Sequence, residues 1–105
     1  MQVLFDQGTP VPLRGYLLSH SVSTVFEKSW STKQNGDLLR TAEQEGFEIL
    51  VTTDQNLKYQ QNLANYGIAI VVLPTTSWPR IEKSINRVVD AIDGMKPGGY
   101  LEVEL

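Results

Sequence analysis

The chain has 105 residues, 41% of them hydrophobic and 20% charged, with a formal net charge of -3. That is one domain's length of ordinary globular composition, which excludes a disordered chain and a pervasively basic nucleic-acid coat protein, though not a local basic patch. There is no cysteine and a single histidine, His20, which excludes disulfides, thiolate metal sites, cysteine nucleophiles and polyhistidine metal sites.

The opening MQVLFDQGTP meets an acid at its sixth residue. Its apolar run is too short for a signal peptide and has no basic start. No apolar stretch approaches the ~18 residues of a membrane span. The expectation is a soluble cytoplasmic protein with no membrane partner.

Gln2 to Phe5 is the first predicted strand; its apolar run VLF suits a strand covered on both faces. A short helix is predicted from Pro12 to about Leu18, then a strand from Ser21 to Phe26, then a polar loop to Gln34. Asn35-Gly36-Asp37 starts a helix with Leu38, Leu39 and Ala42 on one face and Gly46 as its stop. Phe47 to Thr53 is a strand, followed by a helix from Asn56 to Tyr66 closed by Gly67. Ile68 to Leu73 is a buried strand. Trp78-Pro79 opens the longest helix, with Pro79 at a favoured first-turn position, Ile81, Ile85, Val88, Val89 and Ile92 on one face, and Gly94 at its end. Gly98-Gly99 turns the chain into a final edge strand, Tyr100 to Leu105. Strands alternating with helices predict a single α/β domain, a three-layer sandwich with a mostly parallel sheet of about five strands.

Open α/β sheets bind ligands beyond the carboxyl ends of their strands, where strand order reverses. Two predicted strands end in aspartate, at Asp6 and Asp54, and Asp37 opens a helix expected at the same end of the sheet. Converging carboxylates repel, at a cost of ~4 kcal/mol for two unit charges ~4 Å apart at an effective dielectric of ~20. A hard divalent cation relieves that repulsion. Mg2+, held by a few carboxylates and waters, polarises phosphoryl oxygens and activates water. Each acid also has a plainer use: Asp6 in a turn, Asp37 against a helix dipole, Asp54 as a helix cap.

The motifs VLFDQGTP, NGDLLRTAEQEGFEILVTTDQNL and IAIVVLPTTSWP, spanning roughly residues 1–95, together resemble the compact bacterial PIN-like proteins, relatives of PIN-domain ribonucleases that include presumed toxins. The resemblance implies Mg2+- or Mn2+-dependent phosphodiester hydrolysis of RNA by an acidic quartet. It also implies an antitoxin protein as a partner. Asp6, Asp37 and Asp54 match three of the acidic positions. Gln7 and Gly8 stand where the family commonly has Glu and Asn, and Asn56-Leu57 replaces its usual second Asp and Phe.

Gln7, Thr53 and Asn56 are candidate auxiliary groups, and a hydroxyl of Thr52 or Thr53 can orient a carboxylate. Glu43 and Glu45 read as solvated charges, Glu43 being the one with reach toward the acids. Lys28, Lys33, Arg40 and Lys58, with Arg14, are the candidate RNA-binding cations, since an acidic protein needs local positive charge to hold RNA. Trp30 and Tyr59 are either stacking surfaces for bases or packing aromatics. Trp78 reads as packing or a dimer contact, and His20 as a surface loop residue. The final edge strand makes a homodimer the expected assembly. Two other classes stay open. One is a non-catalytic binding module on this fold. The other is a receiver-type phosphoacceptor domain using Asp54, with Thr75 and Lys96 as partners.

Overall fold

The computed structural model describes all 105 residues. Five short strands, β1 (Gln2–Phe5), β2 (Ser21–Thr24), β3 (Ile49–Thr52), β4 (Ala69–Val72) and β5 (Tyr100–Glu102), form one sheet in the order β2-β1-β3-β4-β5. Every pairing is parallel, with Val3 opposite both Val22 and Ile49, Leu50 opposite Ile70 and Val71 opposite Leu101. Parallel strands require covered faces, and β1, β3 and β4 are apolar on both because helices pack on each.

One face carries Val3, Phe5, Ile49, Val51, Ala69 and Val71, packed against Leu13, Leu17, Ile81, Val88 and Ile92. Leu13 comes from a 3-10 helix, Val11–Tyr16, Leu17 directly follows it, and the others come from α3 (Trp78–Lys83) and α4 (Ile85–Asp93). The other face carries Leu4, Leu50, Ile70 and Val72 against Leu38, Leu39 and Ala42 of α1 (Asn35–Gln44) and Leu57 of α2 (Leu57–Gln60). The architecture is therefore a three-layer α/β sandwich. No helix is long and apolar enough to cross a membrane.

Several predicted elements are shorter than expected. The helix expected over Asn56–Tyr66 is one α-turn followed by a 3-10 turn, Leu63–Asn65, because Gln61 adopts extended backbone (φ -133°, ψ 143°). Its apolar residues Leu57 and Leu63 lie six apart and cannot share a face for long. The segment expected as a helix over Pro12–Leu18 is 3-10 instead. The predicted longest helix is broken at Ser84 (φ -118°) into α3 and α4, although Ile81, Val88 and Ile92 still face the core. The predicted second strand stops at Thr24, and Phe26 beyond it is 81% exposed. α1 and its stop are as expected, with Gly46 at φ +87° in the left-handed region glycine favours. β5 is an edge strand, shorter than predicted, and Val103 just past it is buried. Because α2 is a single turn, the space between it and the start of α1 stays open as a cleft of about 530 Å3.

Candidate functional site

β1 lies between β2 and β3, so strand order reverses between β1 and β3. Asp6 follows β1 and Asp54 follows β3 at this crevice. Their link is Thr52, the last residue of β3, which has no solvent exposure. Its Oγ1 donates to Asp6 Oδ2 at 2.8 Å and accepts the Asp54 backbone N–H at 3.1 Å. One hydroxyl thus fixes both strand ends.

Each carboxylate is further held by its own loop. Asp6 Oδ1 accepts the Gln7 N–H at 2.9 Å, and Asp54 Oδ1 accepts the Asn56 N–H at 3.0 Å. Asp54 Oδ2 accepts Asn35 Nδ2 at 3.3 Å. These bonds leave lone pairs free on every carboxylate oxygen. Burial pushes the Asp6 carboxyl above its ordinary range; the bonds from Thr52 and Gln7 oppose that push, and the nearby Asp54 charge adds to it.

The loop after β1 is pinned as well. Thr9 Oγ1 donates to the Val51 carbonyl at 2.9 Å, and the Thr9 N–H returns to the Asp6 carbonyl at 3.1 Å. Between them Gly8 has φ +88°, and a Cβ there would meet Thr53 Oγ1 at 2.8 Å. Glycine is required on both counts. Gly8→Ala is expected to lower stability by about 1–3 kcal/mol, read as a lower urea midpoint with an unchanged m-value, whereas Gly15→Ala, where a Cβ meets nothing within 4 Å, serves as the control.

Asp37 stands in the first turn of α1, its side chain 68% exposed and paired with Arg40 Nη1 at 3.1 Å. It lines the open cleft together with Gln34, Asn35, Gln60, Gln61 and Tyr66. Asn35 Nδ2 joins this cleft to Asp54 by donating also to Gln60 Oε1 at 3.0 Å. Asp6 and Asp54 are therefore brought together, whereas Asp37 reaches Asp54 only through the cleft wall. No group of three or more acidic or histidine side chains is arranged to hold a metal ion.

The other predicted residues are dispersed. Thr53 abuts Gly8, while Gln7 and Asn56 meet the carboxylates through their backbone N–H groups. Of the cations, Lys58 pairs with Glu102 at 2.7 Å, Arg14 pairs with Glu27, and Lys28 sits 5.2 Å from the Trp30 ring centroid. Lys33 is exposed in the loop before α1. Trp30 packs edge-on against Phe47, and Trp78 lies 5.8 Å from the Tyr16 ring, so both are packing aromatics, while Tyr59 is 77% exposed. Glu43 accepts the Gly67 N–H at 2.8 Å beside the strand starts, at the end of the sheet opposite Asp54. Lys96 shares that end, which removes it from a phosphoacceptor role at Asp54. His20 is not a surface residue: its side chain is 5% exposed, with Nε2 2.5 Å from Asp93 Oδ1 at the end of α4.

Two features escaped the sequence. Thr52, read there only as one of two hydroxyls able to orient a carboxylate, is the bridge itself, because strand alternation sends neighbouring side chains to opposite faces. Phe26, read as strand, overhangs a groove of about 140 Å3 that also holds Asp6, Val11 and Thr24. No protein-family model, no curated protein and no solved structure matches the chain.

Proposed function

We propose that this protein is a divalent-metal-dependent ribonuclease that hydrolyses phosphodiester bonds at the crevice between β1 and β3. The observation that carries this reading is the pair Asp6 and Asp54, held together by Thr52 at the point of strand reversal. The donor set fits a hard cation. It consists of carboxylate oxygens with free lone pairs on two fixed strand ends, and Mg2+ characteristically takes one or two carboxylates plus waters and substrate phosphate. When bound, the ion neutralises developing charge on the phosphate and makes water a nucleophile near neutral pH.

Asp6 and Asp54 hold the ion in this reading, while Thr52 sets the distance between them. Asp37, at the far wall of the cleft and paired with Arg40, joins as a third acid when a cation competes with the guanidinium for it. The resemblance to toxin-like PIN relatives adds an antitoxin as a partner class.

One observation favours a second reading, a binding module without catalysis: only two of the three acids share the crevice, and Asp37 is turned to Arg40. Mn2+ titration followed by thermal melting separates the two. A metal at 100 times its dissociation constant adds about 2.7 kcal/mol, so the ribonuclease reading expects a rise in melting temperature for the native chain and little or none for Asp54→Asn. Melting that millimolar Mn2+ leaves unmoved supports the second reading.

A further inference from the structure

The outer strands of an open sheet turn the N–H and C=O of every second residue away from the sheet, where another chain can pair with them. The two edges here are finished differently. On β2 the Ser21 N–H goes to the Met1 carbonyl and the Val25 N–H to the Phe5 carbonyl. Ser21, Ser23 and Val25 therefore face β1, while Val22 and Thr24 turn outward. Thr24 is sealed by its own chain: its N–H donates to Glu27 Oε1 at 2.9 Å, and its C=O accepts the Lys28 N–H at 3.1 Å. Arg14 holds the Glu27 carboxylate in that position. Val22 alone stays open on this edge, which is too little for a ladder.

β5 has no such seal. The Gly99 carbonyl accepts the Ile70 N–H, and the Val103 N–H goes to the Val72 carbonyl. Alternation then turns the Leu101 backbone toward β4 and leaves Tyr100 and Glu102 facing outward. No loop or helix caps their N–H and C=O groups. The side chains stay open too, Tyr100 at 37% and Leu101 at 40% exposure.

We infer that β5 is a dimerisation edge, on which a second copy of this chain pairs antiparallel about a two-fold axis at Leu101, joining two sheets into one. The register is self-complementary. With Leu101 opposite its own copy, Tyr100 of each chain stands opposite Glu102 of the other, and every outward N–H and C=O finds a partner. The side chains agree with that pairing. Leu101 meets Leu101 of the second copy on the face that also carries Val103, removing exposed apolar surface from water. On the opposite face Tyr100 OH donates to Glu102 Oε1 at 3.2 Å, and Lys58 Nζ donates to the same atom at 2.7 Å. The two Glu102 carboxylates are only diagonal neighbours across the axis, and each carries its own Lys58. The sealed β2 edge decides the closure: a head-to-tail stack needs β2 as the receiving strand, so pairing stops at two copies. This inference is independent of the chemistry proposed at the crevice.

Sedimentation velocity of the native chain, from micromolar to submillimolar concentration, is expected to show a monomer passing into a species of twice its mass and nothing larger. Leu101→Lys sets like charges opposite each other at the axis and should weaken association about tenfold. Tyr100→Pro removes an outward N–H from each copy at the first residue of an edge strand, a place that tolerates proline, and should weaken it similarly. Both side chains are exposed, so the diluted variants should melt near the native value. The register has its own check. Opposed Leu101 residues bring their Cα atoms about 4.5 Å apart, within disulfide range. In a chain without cysteine, Leu101→Cys should therefore form a covalent dimer under mild oxidation, whereas Leu18→Cys, at 89% exposure near the β2 edge, should not. A native chain that stays monomeric, assemblies larger than two copies, a dimer that both Leu101→Lys and Tyr100→Pro leave intact, or cross-linking at position 18 in place of 101 overturns the inference. None of these results bears on cleavage at the crevice, which neither substituted residue touches.

Discussion

Replacing Asp54 by asparagine is expected to cut metal-dependent cleavage more than about 100-fold, and Asp6→Asn to do the same. The reference is the loss of ~10–100-fold seen when a group that merely orients a metal ligand is removed; removing the ligand's charge costs more. The two variants should part company in stability. Burial, the first cause, holds the Asp6 carboxyl above its ordinary range, and Asp54 adds to it. Folded Asp6 thus binds its proton more tightly than the unfolded chain does. Between the ordinary carboxylate range and the raised folded value the native state carries more protons, so stability falls as pH rises through that window and is not regained at neutral pH. An uncharged amide at the same place escapes that cost. Asp6→Asn, assayed without divalent metal at neutral pH, should melt higher than the native protein while being the inactive one. Equal or lower melting, together with retained metal-dependent cleavage, refutes the placement of Asp6 as a half-buried, charged ligand.

Thr52→Val carries the second large effect. The substitution keeps the shape of the side chain and deletes the hydroxyl that serves both acids. Two losses follow. The Asp54 N–H loses its acceptor in a partly buried place, at about 1–3 kcal/mol of stability. Asp6 loses the stronger of the two bonds that hold its carboxyl down, so its proton affinity climbs further. Cleavage should fall about 10–100-fold, as for other residues that position a metal ligand, and the acid limb of the pH–rate profile should move to higher pH. Thr52→Ser, which keeps the oxygen, should recover most of the rate and return the limb to its place. A uniform drop in rate with an unmoved acid limb means that Thr52 acts on packing alone.

Much of the architecture was readable in the chain because burial on both sides writes itself as unbroken apolar runs. VLF, ILV and IVV read as inner parallel strands, and the acids that follow the first two, Asp6 and Asp54, mark the crevice. What was not readable depended on the third dimension. Nothing local shows that Thr52 rather than Thr53 faces Asp6; the sheet's alternation decides it. The polar stretch after Asp54 has helix-forming residues, yet with only Leu57 and Leu63 to bury it gains too little from packing to continue past one turn. That shortfall is what opens the cleft beside α1. Asp37 shows the converse: its place in the first turn of α1 is legible in the chain, but a charge three residues on, Arg40, claims it along the helix surface.

The bridge between Asp6 and Thr52 spans 46 residues of chain. Its geometry is non-local twice over, because β1 must close against β2 and then against β3, arriving on the far side. Loops of that length make such closures slow compared with helix formation. During synthesis the first acid therefore emerges long before its companion, and a nascent chain stays chemically silent until β3 has been made and seated. Folding itself thus acts as the safety catch on any hydrolytic capacity the finished molecule has.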